Sequence, residues 1–196
     1  MTSEPDFVRA QYAPTREVKK FFFMPNSCDP SMDTGNAYAL AEHKHDVVFV
    51  GRSFGGRDDL LNHLSANLTD KNFGIYGQKR KDFVTGHAYL NLISNCRIGI
   101  NYQRDNSMPL STSNRMIHLA ANGCLIMSSK IPRIEEIFSS DEAVYFDTPA
   151  ECEEKIRYFL AHPEKAKKIA QAAQMRAHSD YDNRVISQDM VEKIFS

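Results

Sequence analysis

The sequence predicts an α/β fold: a Rossmann-like parallel sheet with helices on both faces and a helical C-terminal segment. Three observations carry this. Short, continuous apolar runs recur between Phe21 and Phe146; segments with helical spacing separate them; and the clearest runs end at a glycine that opens polar sequence. Continuous apolar runs fit strands buried on both faces, and their alternation with helices requires crossover connections.

Taken in order, Phe21–Met24 reads as a first strand, followed by a connection rich in Pro, Asn, Asp and Ser from Pro25 to Gly35. Asp46–Val50 is the strongest strand and stops at Gly51. Arg57–Leu68 carries Leu60, Leu61, Leu64 and Leu68 at helical spacing. Phe73–Tyr76 is a strand ending at Gly77, Ala88–Ser94 a short helix, and Ile98–Tyr102 a further strand. Ser113 or Asn114 is placed to cap a helix that Asn122-Gly123 ends, since glycine takes the left-handed conformation cheaply. Cys124–Met127 follows as a strand, then a helix near Ile134–Phe138 and a short strand at Ala143–Phe146. The remainder reads as three helices: Pro149–Leu160, Pro163–His178 and Asp182–Phe195, two of them opened by a proline in the first turn. Residues 1–19 are polar and mixed and are expected to be a tail or linker remnant, leaving 20–196 as one domain.

The chain has 196 residues and a formal net charge of −1, so anion binding must come from a local cluster rather than from the protein as a whole. Its four cysteines, Cys28, Cys96, Cys124 and Cys152, are far apart and form no C-x-x-C pair. They are expected as buried free thiols in a reducing compartment, not as a zinc site or disulfide framework. No metal-ligand spacing and no nucleophile–base dyad is visible, and no apolar run is long enough to span a bilayer, so a cytoplasmic protein without nucleic-acid binding is expected.

In a parallel sheet, ligands bind beyond the C-terminal ends of the strands. Two segments there carry chemistry. Gly51-Arg52-Ser53-Phe54-Gly55-Gly56-Arg57 combines backbone that can approach a phosphate with cations to neutralise it, yet it matches neither G-x-G-x-x-G nor a P-loop. Further on, Arg115 stands in the first turn of its helix, where a cation opposes the dipole unless an anion is shared there. Asn114, Arg115 and His118 share one side of that helix. His118 is open to two readings, a hydrogen-bonded core residue or a ligand contact. Lys79-Arg80-Lys81 reads as a solvated loop, and Gln103–Thr112 is a long polar loop beside the same edge.

The ordered motifs DVVFVGRSFGGRDDLL, FGIYG, SNCRIGINY, SNRMIHLAANGCLIMSS, IEEIF and AHPEKAKKIAQAAQ resemble the C-terminal domain of CgeB-like glycosyltransferases, GT-B enzymes related to glycosyltransferase group 1. The resemblance implies one half of a GT-B fold that binds a nucleotide-diphosphate sugar without needing a metal or other cofactor. Gly51 and Arg57 match the glycine turn and its arginine, Ser113 and Arg115 the motif before the helix, and Arg52 is a neighbouring basic candidate. Asn114 would add a donor, and His118 would face the ribose or sugar where relatives carry a glutamate. Leu110 replaces the paired glutamate. No catalytic residue is named by the comparison. The acceptor-binding half would lie in a missing domain or partner chain. The apolar side of the last helix, with Val185, Ile186, Met190, Val191 and Ile194, would pack on its own domain or be covered by another copy. A non-catalytic nucleotide-sugar-binding subunit is the alternative. A dinucleotide oxidoreductase lacks its fingerprint here.

Overall fold

The structure is a computed structural model that describes residues 5–12, 22–52 and 54–196. Five strands, β1 (His45–Val50), β2 (Phe73–Tyr76), β3 (Cys96–Asn101), β4 (Leu125–Ser129) and β5 (Val144–Phe146), form one sheet in the order β2-β1-β3-β4-β5. Every pairing is parallel: Val47 lies beside Phe73 and Ile98, Ile98 beside Leu125, and Met127 beside Val144. The helices are α1 (Pro5–Tyr12), α2 (Gly56–Asn67), α3 (Gly86–Ile93), α4 (Asn114–Ala121), α5 (Pro149–Ala161), α6 (Pro163–Asp180) and α7 (Asn183–Phe195). No helix among the described residues is long and apolar enough to cross a membrane.

Alternation along each strand divides the core into two layers. Val47, Phe49, Ile98, Ile100, Leu125 and Met127 face the layer of α2 and α5, built on Leu60, Leu64 and Ile156. Val48 and Ile126 face the opposite layer, with Met116, Ile117, Ala173 and Ala177 from α4 and α6. On that face Gly99 has no side chain because α4 lies against it: a Cβ would stand 2.2 Å from Cδ2 of Leu119. The glycine sets how closely the helix approaches β3.

The expected strand at Phe21–Met24 is not one. Phe21 lies outside the described residues, and Phe22–Met24 has no strand pairing. Phe23 and Met24 instead lie against the α4–α6 core layer, which explains their apolar character without a ladder. Cys28 alone bridges to Asp182. Within the segment read as a tail, Pro5–Tyr12 is helical and Val8 is buried. The helix expected near Ile134–Phe138 is a 3-10 turn, Ile134–Glu136, entered through Arg133 at φ 63°. All four cysteines are buried free thiols.

Candidate functional site at the β1–β3 switch point

The strand order reverses between β1 and β3, so the chain leaves these neighbouring strands in opposite directions and opens a crevice at their C-terminal ends. Gly51 and Tyr102 are the residues that leave the sheet there. Arg115, at the start of α4, reaches across this crevice. Its Nη1 donates to the Val50 carbonyl at 2.6 Å, and its Nη2 to the Tyr102 carbonyl at 2.9 Å and to Oδ1 of Asn101 at 3.4 Å. The guanidinium lies 4.8 Å from the centroid of the Phe49 ring.

Arg57, in the first turn of α2, converges on the same point. Its Nε donates to the Tyr102 carbonyl at 2.9 Å, and Nη1 to the Arg52 carbonyl at 3.1 Å. Two guanidinium groups thus share one carbonyl oxygen, and among the described residues neither forms an ion pair with a carboxylate. Burial and then the facing Arg57 push Arg115 down to about 10, which leaves it charged at neutral pH. Arg57 is lowered by burial, with Arg104 adding to the effect. Nε of Arg115 and Nε2 of the adjacent Gln103 are buried without a hydrogen-bond partner among the described residues. Concentrated positive charge with spare donors is the electrostatic signature of an anion site.

Gly51 makes this arrangement possible. A Cβ at that position would lie 2.6 Å from Nη1 of Arg115 and 3.1 Å from Cζ of Phe49. Its amide donates to Tyr76 at 2.9 Å and its carbonyl accepts from Nε2 of Gln78 at 2.7 Å, so the turn is fixed from both sides. Gly55, at φ 48°, occupies the position before α2 and brings Arg57 into the crevice. Ser53 lies outside the described residues.

Ser113 stands at the cap position of α4 with extended backbone, but its hydroxyl makes no capping bond. It donates to Oδ1 of Asn101 at 3.0 Å, while Nδ2 of Asn101 donates to Oγ of Ser128 at 2.9 Å. Asn114 is exposed at the helix start. The rim carries two further cations stacked on exposed rings: Arg104 lies 4.2 Å from the Phe54 centroid and Arg52 lies 5.3 Å from that of Phe83.

His118 is placed differently. Its Nδ1 lies 2.8 Å from Oδ1 of Asp33, a residue only 1% exposed, and its ring meets Tyr89 edge-on at 6.0 Å. A carboxylate only accepts, so Nδ1 carries a proton, and in the neutral imidazole Nε2 then carries the lone pair. Asp33 also accepts from Nδ2 of Asn122 at 2.8 Å and from the Asp29 amide at 3.0 Å. Burial alone would raise this carboxyl, but the bonds from His118, Asp29 and Asn122 hold it below the ordinary carboxylate value. Leu110 is buried at φ 53°, its amide donating to Pro132 at 3.0 Å, so its side chain is part of the core.

Of the residues singled out from sequence, the structure gathers Gly51, Arg57, Ser113 and Arg115 around Asn101 and Tyr102. Arg52 contributes its backbone there and sends its side chain outward. Sequence reading missed Phe49, Asn101, Tyr102, Gln78 and Asp33. The first three lie at strand ends beside the crevice and could have been found from that position alone. Nothing local marks Asp33 as the partner of His118. Among the described residues, no group of three or more His, Cys, Asp or Glu side chains is arranged to hold a metal ion.

Residues 52–192 match a family described as "Glycosyl transferase-like". No curated protein sequence matches the chain. Among solved structures, sucrose-phosphate synthase from Thermosynechococcus elongatus superposes with a TM-score of 0.65 at 12% identity, covering 96% of this chain and 55% of that one. HepE of Anabaena, solved in complex with UDP-glucose, gives 0.64 at 14% identity over 88% of this chain and 57% of its own. The C-terminal domain of the group 1 glycosyl transferase LpcC from Francisella tularensis gives 0.55 at 12% identity, over 72% of this chain and 88% of that domain. At such identities these likenesses are of fold. This chain spans little more than half the length of the first two, and most of the isolated C-terminal domain. With the parallel sheet, the crevice and the family match together, the chain belongs to the glycosyl transferase-like family, and its fold is that of the C-terminal domain of a group 1, GT-B glycosyltransferase.

Proposed function

We propose that this chain is the donor-binding half of a CgeB-like glycosyltransferase and holds a nucleotide-diphosphate sugar at the β1–β3 crevice. The observation that carries this reading is the pair Arg57 and Arg115, both bonded to the Tyr102 carbonyl without a carboxylate counter-ion among the described residues. A diphosphate bridging them would offset their mutual repulsion and use the spare Nε–H of Arg115. As the glycosidic bond to the sugar breaks, negative charge grows on the leaving diphosphate. Guanidinium groups anchored beside it by the Tyr102 carbonyl would lower that barrier.

In this reading, Ser113 orients Asn101, and Asn114 offers backbone or amide donors at the helix start. The bond to Asp33 fixes the His118 tautomer, leaving Nε2 to accept a hydrogen bond from a ribose or sugar hydroxyl. Any base that activates the acceptor, and most of the acceptor's binding surface, belong to another domain or chain. HepE, which shares the fold, is solved with UDP-glucose, and this makes uridine nucleotides the first donors to test.

Calorimetric titration of the chain with UDP, GDP and their sugar conjugates tests the proposal. One nucleotide should bind saturably, and Arg115→Ala should weaken it by about 1.5–3 kcal/mol. Undiminished affinity in a folded variant would remove Arg115 from the site. A second reading, a nucleotide-sugar-binding subunit without turnover, draws on Leu110, whose buried side chain supplies no carboxylate at the crevice. Sugar transfer by the isolated chain to a simple acceptor would exclude it.

A further inference from the structure

The distribution of charge singles out one more place. With a net charge of −1, cations and anions balance over the whole chain. Away from the crevice, arginines are matched to carboxylates: Arg157 to Asp70 and Glu153, Arg176 to Glu142 and Asp180, Arg184 to Asp182. At the C-terminal edge of β1 and β2, by contrast, Arg52 and Arg80 form no ion pair with any described carboxylate. They line a cleft of about 460 Å³ together with Gln78 and Phe83, a volume within the range of small-ligand sites.

We propose that this cleft is a second anion subsite, separate from the Arg57–Arg115 pair, and that it takes the phosphate or carboxylate of an anionic saccharide acceptor. The proposal rests on the donor reading above. Its chemistry follows from the four lining residues. Two unpaired guanidiniums suit one anionic group. Phe83 is 44% exposed; Arg52 lies over one of its faces, and the remaining ring surface is apolar area against which a sugar ring can lie. Nε2 of Gln78 is committed to the Gly51 carbonyl at 2.7 Å, which leaves its Oε1 to accept from a hydroxyl.

The position fits transfer. Arg52 divides two sites: its carbonyl accepts from Arg57 at 3.1 Å, whereas its guanidinium turns the other way and lies 5.3 Å from the Phe83 centroid. An anion held between Arg52 and Arg80 therefore sits one residue from the turn that would hold the donor diphosphate. In the proposed transfer, a hydroxyl of the same molecule attacks the sugar carbon, which exchanges its bond to the diphosphate oxygen for a bond to the acceptor oxygen. The acceptor proton leaves to solvent or to a base on the other half.

The test is calorimetry on the full chain and on Arg80→Ala, with circular dichroism to confirm folding. UDP is titrated first; glucose 6-phosphate and glucose are then titrated separately, with and without saturating UDP. Glucose 6-phosphate should bind at least tenfold more tightly than glucose, and Arg80→Ala should remove that preference while leaving UDP affinity within twofold. Equal binding of the two sugars, or binding of neither, would overturn the proposal. So would a tenfold loss of UDP affinity in Arg80→Ala, since the cleft would then be part of the donor phosphate site. Binding of glucose 6-phosphate through Arg80 without binding of any nucleotide would defeat the donor reading alone and leave the anion cleft standing.

Discussion

Gly51 leaves the space that the Arg115 guanidinium fills: a Cβ there would stand 2.6 Å from Nη1, the atom that donates to the Val50 carbonyl at 2.6 Å. The turn after β1 and the first turn of α4 are thus one unit, although 63 residues separate them. Gly51→Ala must push the guanidinium off that carbonyl or move the turn. Either response costs about 1–3 kcal/mol, as overpacking and a broken charged hydrogen bond do. The expected outcome is a lower melting temperature together with weakened nucleotide binding. A variant with unchanged binding would uncouple the two residues.

Arg115→Lys distinguishes charge from geometry. An ammonium is a point charge without the planar fork that now serves Val50, Tyr102 and Asn101 at once. The lysine variant should recover less than half of the binding free energy lost in Arg115→Ala. Full recovery in a titration with UDP would show that charge alone is needed.

The packing of α4 on β3 gives a prediction independent of ligand. Gly99→Ala places a methyl 2.2 Å from Cδ2 of Leu119, a side chain that is itself fully buried. Denaturant titration should show a loss of about 2 kcal/mol or more. In the double variant with Leu119→Ala, the combined loss should fall short of the sum of the single losses, because the smaller side chain makes room for the methyl. Strict additivity would mean that the two positions do not touch.

Asp33 ties the loop before β1 to α4 and should make stability depend on acid pH. Its carboxyl is held low in the folded state by its hydrogen-bond donors. A depressed carboxyl contributes stability that is complete above the unfolded value, about 3.9, and is lost as pH falls through the lower folded value. The urea midpoint should therefore drop below about pH 4. Asp33→Ala, which leaves the His118 and Asn122 donors unpaired, should cost about 3 kcal/mol at neutral pH and flatten that acid dependence. An unchanged acid profile in the variant would assign the titration to other carboxyls.

The thiols are expected to be silent. Burial, with nearby carboxylates adding to it, pushes the Cys28 thiol up to about 12, and burial raises Cys96 and Cys152 as well. A thiol-reactive disulfide reagent at pH 8 should label fewer than one cysteine in the folded protein and four after denaturation. Rapid labelling of the native chain would mean that the core opens far more often than its packing implies.

What the sequence determined by itself was the sheet and its edge. Asp46–Val50, Phe73–Tyr76 and Ile98–Tyr102 are legible because buried parallel strands must be continuously apolar, and Gly51, Arg57 and Arg115 stand out because they follow such strands or oppose a helix dipole. Phe21–Met24 misled because an apolar run records burial, not pairing, and Phe23 and Met24 are packed against the core without a ladder. Tertiary structure alone decided the rest. Whether Arg115 points to solvent or across the crevice depends on the space at Gly51 and on the Val50 and Tyr102 carbonyls, which α4 meets only once it is packed on β3. Whether His118 lies bare or bound depends on Asp33, 85 residues away in the chain. Hydrophobic periodicity is local and survives in one dimension; the partners of polar groups are set by distances that exist only after the chain has folded.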